Sequence, residues 1–186
     1  MRWDDLFADL EAQLAAADDA AWEADVVDQA RAERMSVKLT DRLRAHAGPL
    51  RVHLADGVVL RAVVAECGQD WLLLDGARAG PPAQEVLVPL AGLTRVEGLG
   101  SAALPADGPV SRRLSLNVVL RGLVRARSTV EIHCQGGRAP LTGTLDAVGA
   151  DHVDLAAHPA DLPRRPANVT ALHAVRTAAI VRIRVS

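Results

Sequence analysis

Two stretches of the chain, eighty residues apart, carry nearly the same pattern. Leu50–Leu74 reads LRVHLADGVVLRAVVAECGQDWLLL and Val130–Leu155 reads VEIHCQGGRAPLTGTLDAVGADHVDL. With one residue inserted in the second, Gly57 falls on Gly137, Gly68 on Gly149, Asp70 on Asp151 and Leu74 on Leu155. Upstream, Leu39 and Leu43 fall on Val119 and Leu123 of a second helical pattern. An internal repeat constrains architecture before any single residue is read, because each copy must be one small structural unit. A chain of 186 residues holds one large domain or two small ones.

The hydrophobic period changes along each copy. Trp3, Leu6, Phe7, Leu10 and Leu14 follow helical spacing, with acids on the other faces. A softer stripe continues through Trp22, Val26, Ala30, Leu39 and Leu43 and stops at Ala47-Gly48-Pro49. Period two then takes over at Leu50, Val52 and Leu54, with Asp56-Gly57 as a turn dipeptide. Further strands are expected at Leu60–Glu66, Trp71–Leu74, Glu85–Val88 and Thr94–Glu97. Gly98–Gly108 is a small-residue linker, and Ser111–Val124 returns to helix. Strands follow near Ser128–Cys134, Pro140–Ala147, Asp151–Ala156, Val169–Val175 and Ile180–Val185. VRIRV alternates, which places Arg182 and Arg184 on one exposed face.

Charge is distributed unevenly. Residues 1–33 carry ten acids against two arginines, a net −8; residues 34–110 balance; residues 111–186 carry eleven arginines against five acids, a net +6. An acidic head and a basic tail bear on partners, not on fold. Cys67 and Cys134 lie within expected strands and read as buried free thiols of a reducing compartment. The opening MRWDDLFADLEA has acids where a signal peptide needs cations, and no stretch is apolar for long enough to span a bilayer. The expected location is the cytoplasm, away from membranes.

A helix followed by five short, bent strands resembles the Sm/LSm fold, a small SH3-like barrel. Val52–Gly57 resembles its first strand and turn, and Leu141–Leu145 with Asp151–Leu155 resembles the G-x-L … D-x-x-x-L core of its first motif. Val88–Leu93 is similar to the tight turn between its fourth and fifth strands. The resemblance implies an α+β, mainly β chain. An N-terminal helical segment (1–33) would precede two tandem Sm-like five-stranded barrels, each behind a helix (34–98 and 111–186), with a linker at 99–110. Gly57, Gly137, Gly68, Gly149, Asp70 and Asp151 would shape the turns, and Gly143 would let a long second strand fold over. The whole chain, including its MRWDDLFADLEAQ opening, also resembles an actinobacterial family whose members are at times called Fis-type transcriptional regulators. Such a regulator needs a helix-turn-helix near the C-terminus, and this C-terminus is β-patterned.

The RNA-reading Asn of Sm proteins falls near Leu73 in the first copy and Asp154 in the second, and Val88-Pro89 stands where they have Arg-Gly. The fold therefore carries over better than the base-reading site. His53, His133, His152, His158 and His173 form no metal-ligand spacing, and no nucleophile elbow or phosphate loop is present, so no enzyme, metal or cofactor is expected. The expected role is a non-enzymatic adaptor or regulatory scaffold. Its protein contacts, self-association included, would use exposed barrel edges or the Trp3, Leu6, Phe7, Leu10 and Leu14 stripe. The alternative is an Sm/Hfq-like RNA-binding regulator that contacts phosphates through Arg112, Arg113, Arg121, Arg125, Arg127, Arg182 and Arg184. Transcriptional regulation through DNA is the weakest reading, because no reading helix is found.

Overall fold

The period-two segments become ten antiparallel strands in a computed structural model, which describes residues 35–77, 84–105, 114–137 and 139–185 together with Trp22, Gln29 and Arg31. The acidic stripe from Trp3 to Leu14, and Arg112 and Arg113, lie outside the described residues. The chain divides into two compact units, Met1–Lys38 and Leu39–Ser186. In the first, Trp22, Gln29, Arg31, Met35 and Ser36 are helical.

In the second unit, helix α1 (Leu39–Ala45) precedes strands β1 (Pro49–Leu54), β2 (Val59–Cys67), β3 (Trp71–Ala77), β4 (Gln84–Pro89) and β5 (Leu93–Glu97). Helix α2 (Leu116–Ala126) precedes β6 (Thr129–Cys134), β7 (Leu141–Val148), β8 (His152–Ala157), β9 (Ala171–Arg176) and β10 (Ile180–Val185). The ten strands form one sheet in the order β5-β1-β2-β3-β4-β10-β6-β7-β8-β9. This corrects the expectation of two five-stranded barrels: the sheet is single, continuous and not closed. The cause is β4, which pairs with the C-terminal strand β10 (Leu87 opposite Ile183, Val86 opposite Arg184) and so joins the two runs of strands edge to edge.

Each half of the sheet has its own core. Leu43 of α1 packs with Leu50, Val52, Leu60, Leu72, Leu74, Val86 and Val88, while Leu116 and Leu120 of α2 pack with Val130, Ile132, Leu145, Val153, Leu155 and Ile183. The halves exchange side chains at the β4–β10 seam. Trp71 and Leu87 of the first half belong to the second core, and Val181 of β10 belongs to the first. A bulge on β10 makes the exchange work. Ile180 pairs with Cys134 and Arg182 with His133, so Val181 is the extra residue and is turned to the opposite face. Burying these side chains is worth roughly 1.5–3 kcal/mol for each large apolar group, which holds the seam shut.

The turns of the two halves carry matching backbone hydrogen bonds. Gly68 N–H donates to the Trp71 carbonyl as Gly149 does to His152, and Leu90 N–H donates to Asp70 as Thr177 does to Asp151. Ala55 N–H donates to Gly92 as Gln135 does to Ala179, and Gly57 N–H donates to Leu54 as Gly137 does to Cys134. The left-handed residue of that last turn is Gly57 in the first half and Gly136, not Gly137, in the second.

Arg182 does not lie on an exposed face. Because β10 has β4 on one side and β6 on the other, its residues are buried along most of its length; Arg182 is only 6% exposed and Arg184 is half-buried. Both cysteines are free, Cys67 buried and Cys134 half-buried; burial pushes the Cys134 thiol up from its ordinary value.

Candidate functional site

The arginines of α2 follow helical spacing. Leu116 and Leu120 point into the core, and four residues apart on the opposite side Arg121 and Arg125 stand exposed. The helix ends at Arg127, which adopts the left-handed conformation at φ 51° and returns its N–H to the carbonyls of Leu123 and Val124. Cations suit this end of a helix, where the last carbonyls leave partial negative charge.

Two clefts lie along this helix. One, of about 520 Å³, is lined by Val124, Arg125 and Arg127 of the helix end, Thr144, Leu145 and Asp146 of β7, and Arg164 from the loop after β8. The other, of about 380 Å³, is lined by Val118, Arg121, Val124, Arg125 and Val148. They share Val124 and Arg125 and so read as one groove with an apolar floor and a rim of guanidinium groups. Arg164 is neutralised by Asp146 through two parallel bonds, Nε to Oδ1 at 2.6 Å and Nη2 to Oδ2 at 2.5 Å. Among the described residues Arg121, Arg125 and Arg127 make no ion pair or side-chain hydrogen bond, so that three cationic side chains line the groove with no partner there.

The groove floor is braced from behind. Thr144 Oγ1 lies 2.8 Å from His158 Nε2, and His158 Nδ1 lies 2.8 Å from the Pro159 carbonyl. That carbonyl can only accept, so Nδ1–H donates to it; in the neutral ring Nε2 then accepts the Thr144 hydroxyl proton. His158 is buried and both its nitrogens are occupied, so it supports the groove and has no free nitrogen for chemistry.

Arg182 and Arg184 belong to a different cluster, at the seam. Arg182 Nε donates to Asp56 Oδ2 of the β1–β2 turn at 3.0 Å, and its Nη2 donates to His133 Nδ1 at 3.1 Å. A guanidinium cannot accept, so Nδ1 is the acceptor and the proton on Nε2 is donated to Glu131. Glu131 also faces Arg184 Nη1 at 3.7 Å. A similar set recurs at the outer edge with its charges exchanged between strands. There Glu97 lies on β5, opposite Arg51 at 3.0 Å, with His53 at 2.8 Å and Arg95 at 2.9 Å. Burial works to raise the Glu97 pKa, but Arg51, the His53 hydrogen bond and Arg95 outweigh it and hold the carboxyl below its usual range.

The structure therefore brings together Arg121, Arg125 and Arg127 and separates them from Arg182 and Arg184, which are engaged within the sheet. Arg164 is one of the eleven arginines of the basic tail, and nothing in local spacing links it to Asp146 eighteen residues earlier. Of the turn residues, Asp70 does more than shape a turn. Its carboxylate accepts the Leu116 N–H at 2.7 Å and caps α2. Gly143 lies where β7 passes close to β8: a Cβ there would sit 2.8 Å from the Ala156 carbonyl carbon and 2.9 Å from Ala157 Cα. Among the described residues no group of His, Cys, Asp and Glu converges to hold a metal ion, and no helix is long and apolar enough to cross a membrane. In comparisons with known proteins, no family model, curated protein or solved structure matches the chain.

Proposed function

We propose that the chain is a non-enzymatic adaptor or regulatory scaffold that holds an acidic, partly apolar protein segment in the groove beside α2. The observation that supports this reading is the pairing of three guanidiniums, unpartnered among the described residues, with an apolar floor. Val118 is 37% exposed at one end of that floor, and Val124 and Val148 continue it. Water solvates arginines well by themselves; apolar groups beneath them gain only when something covers both. An amphipathic segment with carboxylates on one side and Leu or Val on the other meets both requirements.

RNA contact is the second reading, supported by the same three cations. It ranks below the first because among the described residues no aromatic side chain lines the groove for base stacking, and because Arg182 and Arg184 are taken up inside the sheet. The reading also includes an origin by duplication of one helix-plus-five-strand unit related to the Sm proteins. The equal strand orders and the matching turn bonds support that origin.

Polarisation titrations separate the two readings. A designed helical peptide with Glu on one face and Leu on the other is expected to bind, and Arg121→Ala with Arg125→Ala to weaken it about tenfold or more. A single-stranded oligonucleotide bound instead, with log affinity falling against log salt at a slope of about 2 for three phosphate contacts, supports the RNA reading. Failure of both probes, or equal binding by the double variant, sinks the groove as the functional site.

A further inference from the structure

The seam that joins β4 to β10 is made once, although the sheet ends in the two strands that could make it again. By the matching turn bonds and registers, β9 corresponds to β4 and β5 to β10. A second copy could therefore lay its β5 against β9 of the first and extend the sheet indefinitely. We infer that the β9 side is built to refuse the β5 edge of a second copy, so that the chain is a self-terminating pair of units. This inference is independent of the α2 groove.

Three differences carry it. First, the side chains that half one pushes into the second core have polar or truncated counterparts in half two. Trp71, 5% exposed, corresponds to His152; Leu73 corresponds to Asp154, and Leu87 to the exposed Ala174. The apolar groups that close the existing seam thus have no equivalents on β8 and β9. The one large apolar side chain exposed on β9, Leu172 at 75%, stands at the place of Glu85, which is itself exposed and outside the seam's core. Second, the turn after β4 approaches β10 so closely that only glycine fits. A Cβ on Gly92 would lie 2.7 Å from Val181 Cα and 2.9 Å from its carbonyl carbon, both backbone atoms that cannot swing away. The residue that corresponds to Gly92 is Ala179, which carries that Cβ. The residue that corresponds to Val181 is Thr94 on β5. The same close approach between copies would drive Ala179 into the Thr94 backbone. Third, Asp56, which meets Arg182 across the seam, corresponds to Gly136, so Arg95 of a second copy would find no carboxylate there.

The β5 edge itself keeps its acceptor character. Leu93 and Val96 are only half-buried, whereas their counterparts Ile180 and Ile183 at the covered seam are fully buried. Changing the β9 side alone should therefore be enough to start growth. The chain carrying Asp154→Leu, Ala174→Leu and Ala179→Gly is expected to form open-ended oligomers that lengthen with concentration in sedimentation velocity. Amide exchange should then slow at both Leu93–Glu97 and Ala171–Arg176. The wild-type chain is expected to show no concentration-dependent protection at β5. A triple variant that is folded by circular dichroism yet stays monomeric overturns the inference, as does wild-type protection of β5 that rises with concentration. A single change tests the close approach without depending on the triple variant. Gly92→Ala is expected to lower Tm by roughly 5 °C as the seam is forced apart, and a Gly92→Ala chain as stable as wild type would also overturn it.

Discussion

At position 152 a histidine takes the place that Trp71 holds in the first half, and the exchange converts a buried anchor into an exposed ion pair. Trp71 is packed into the neighbouring core and donates its Nε1–H to the Leu114 carbonyl at 2.9 Å. His152 Nδ1 instead lies 2.9 Å from Asp151 Oδ1. That hydrogen bond is the main reason the His152 pKa is raised above 6.5 and the Asp151 pKa is lowered below 3.8. A raised histidine stabilises the fold below its ordinary value, and this contribution is lost as pH rises through the raised value. A lowered carboxylate stabilises it above its ordinary value, and this is lost as pH falls through the lowered one. The pair is therefore complete between the two ordinary values, from about pH 4 to about pH 6.5. In an NMR titration His152 should lose its proton above pH 6.5, and Asp151→Asn should bring it back toward the free-histidine value of about 6.5. An unchanged midpoint in the variant would show that Asp151 does not hold the proton.

Elements were the most legible level of this chain. Alternation at Leu50, Val52 and Leu54 marked a strand whose apolar face does enter the first core. The helix expected over Ser111–Val124 covers most of α2, although the residues it buries are Leu116 and Leu120. What local pattern could not show was how an element is held from a distance. Ser115, the residue before α2, has extended backbone but makes no side-chain capping bond. The cap comes from Asp70, 46 residues earlier, at the turn between β2 and β3. Gln69 N–H and the Trp71 indole both donate to Leu114 beside it. The Gly68–Trp71 turn of one half therefore starts the helix that carries the arginine groove of the other. Asp70→Ala should cost about 1 kcal/mol in urea denaturation, the ordinary value of a lost helix cap, while Ser115→Ala should cost much less. Equal costs would return the cap to Ser115.

Across the whole molecule, the seam explains both why two barrels were a reasonable expectation and why they do not form. Each run of five strands has the composition of a small separate unit, and nothing within residues 34–98 signals that β4 will pair with the last strand of the chain. The signal lay in differences between the halves: Leu73 against Asp154, Leu87 against Ala174 and Gly92 against Ala179, with apolar groups and glycine on the side that joins. The arginine groove was half legible for a similar reason. Arg121 and Arg125 share a face by spacing alone, whereas Arg182 was misplaced because its exposure depends on the strand that pairs beside it. That buried arginine offers a direct measure of the seam. Arg182 and Asp56 are 7% and 12% exposed at their side chains and meet at 3.0 Å. Asp56→Asn keeps the oxygen that accepts the Val58 N–H but removes the charge, leaving a nearly buried guanidinium facing an amide. The expected loss is about 3 kcal/mol, the scale for an uncompensated buried charge. Adding Arg182→Met should recover much of it, because two neutral groups then fill the same space. A loss below about 1 kcal/mol for Asp56→Asn would place the pair with exposed ion pairs, and the seam would then be held by Trp71, Leu87 and Val181 without it.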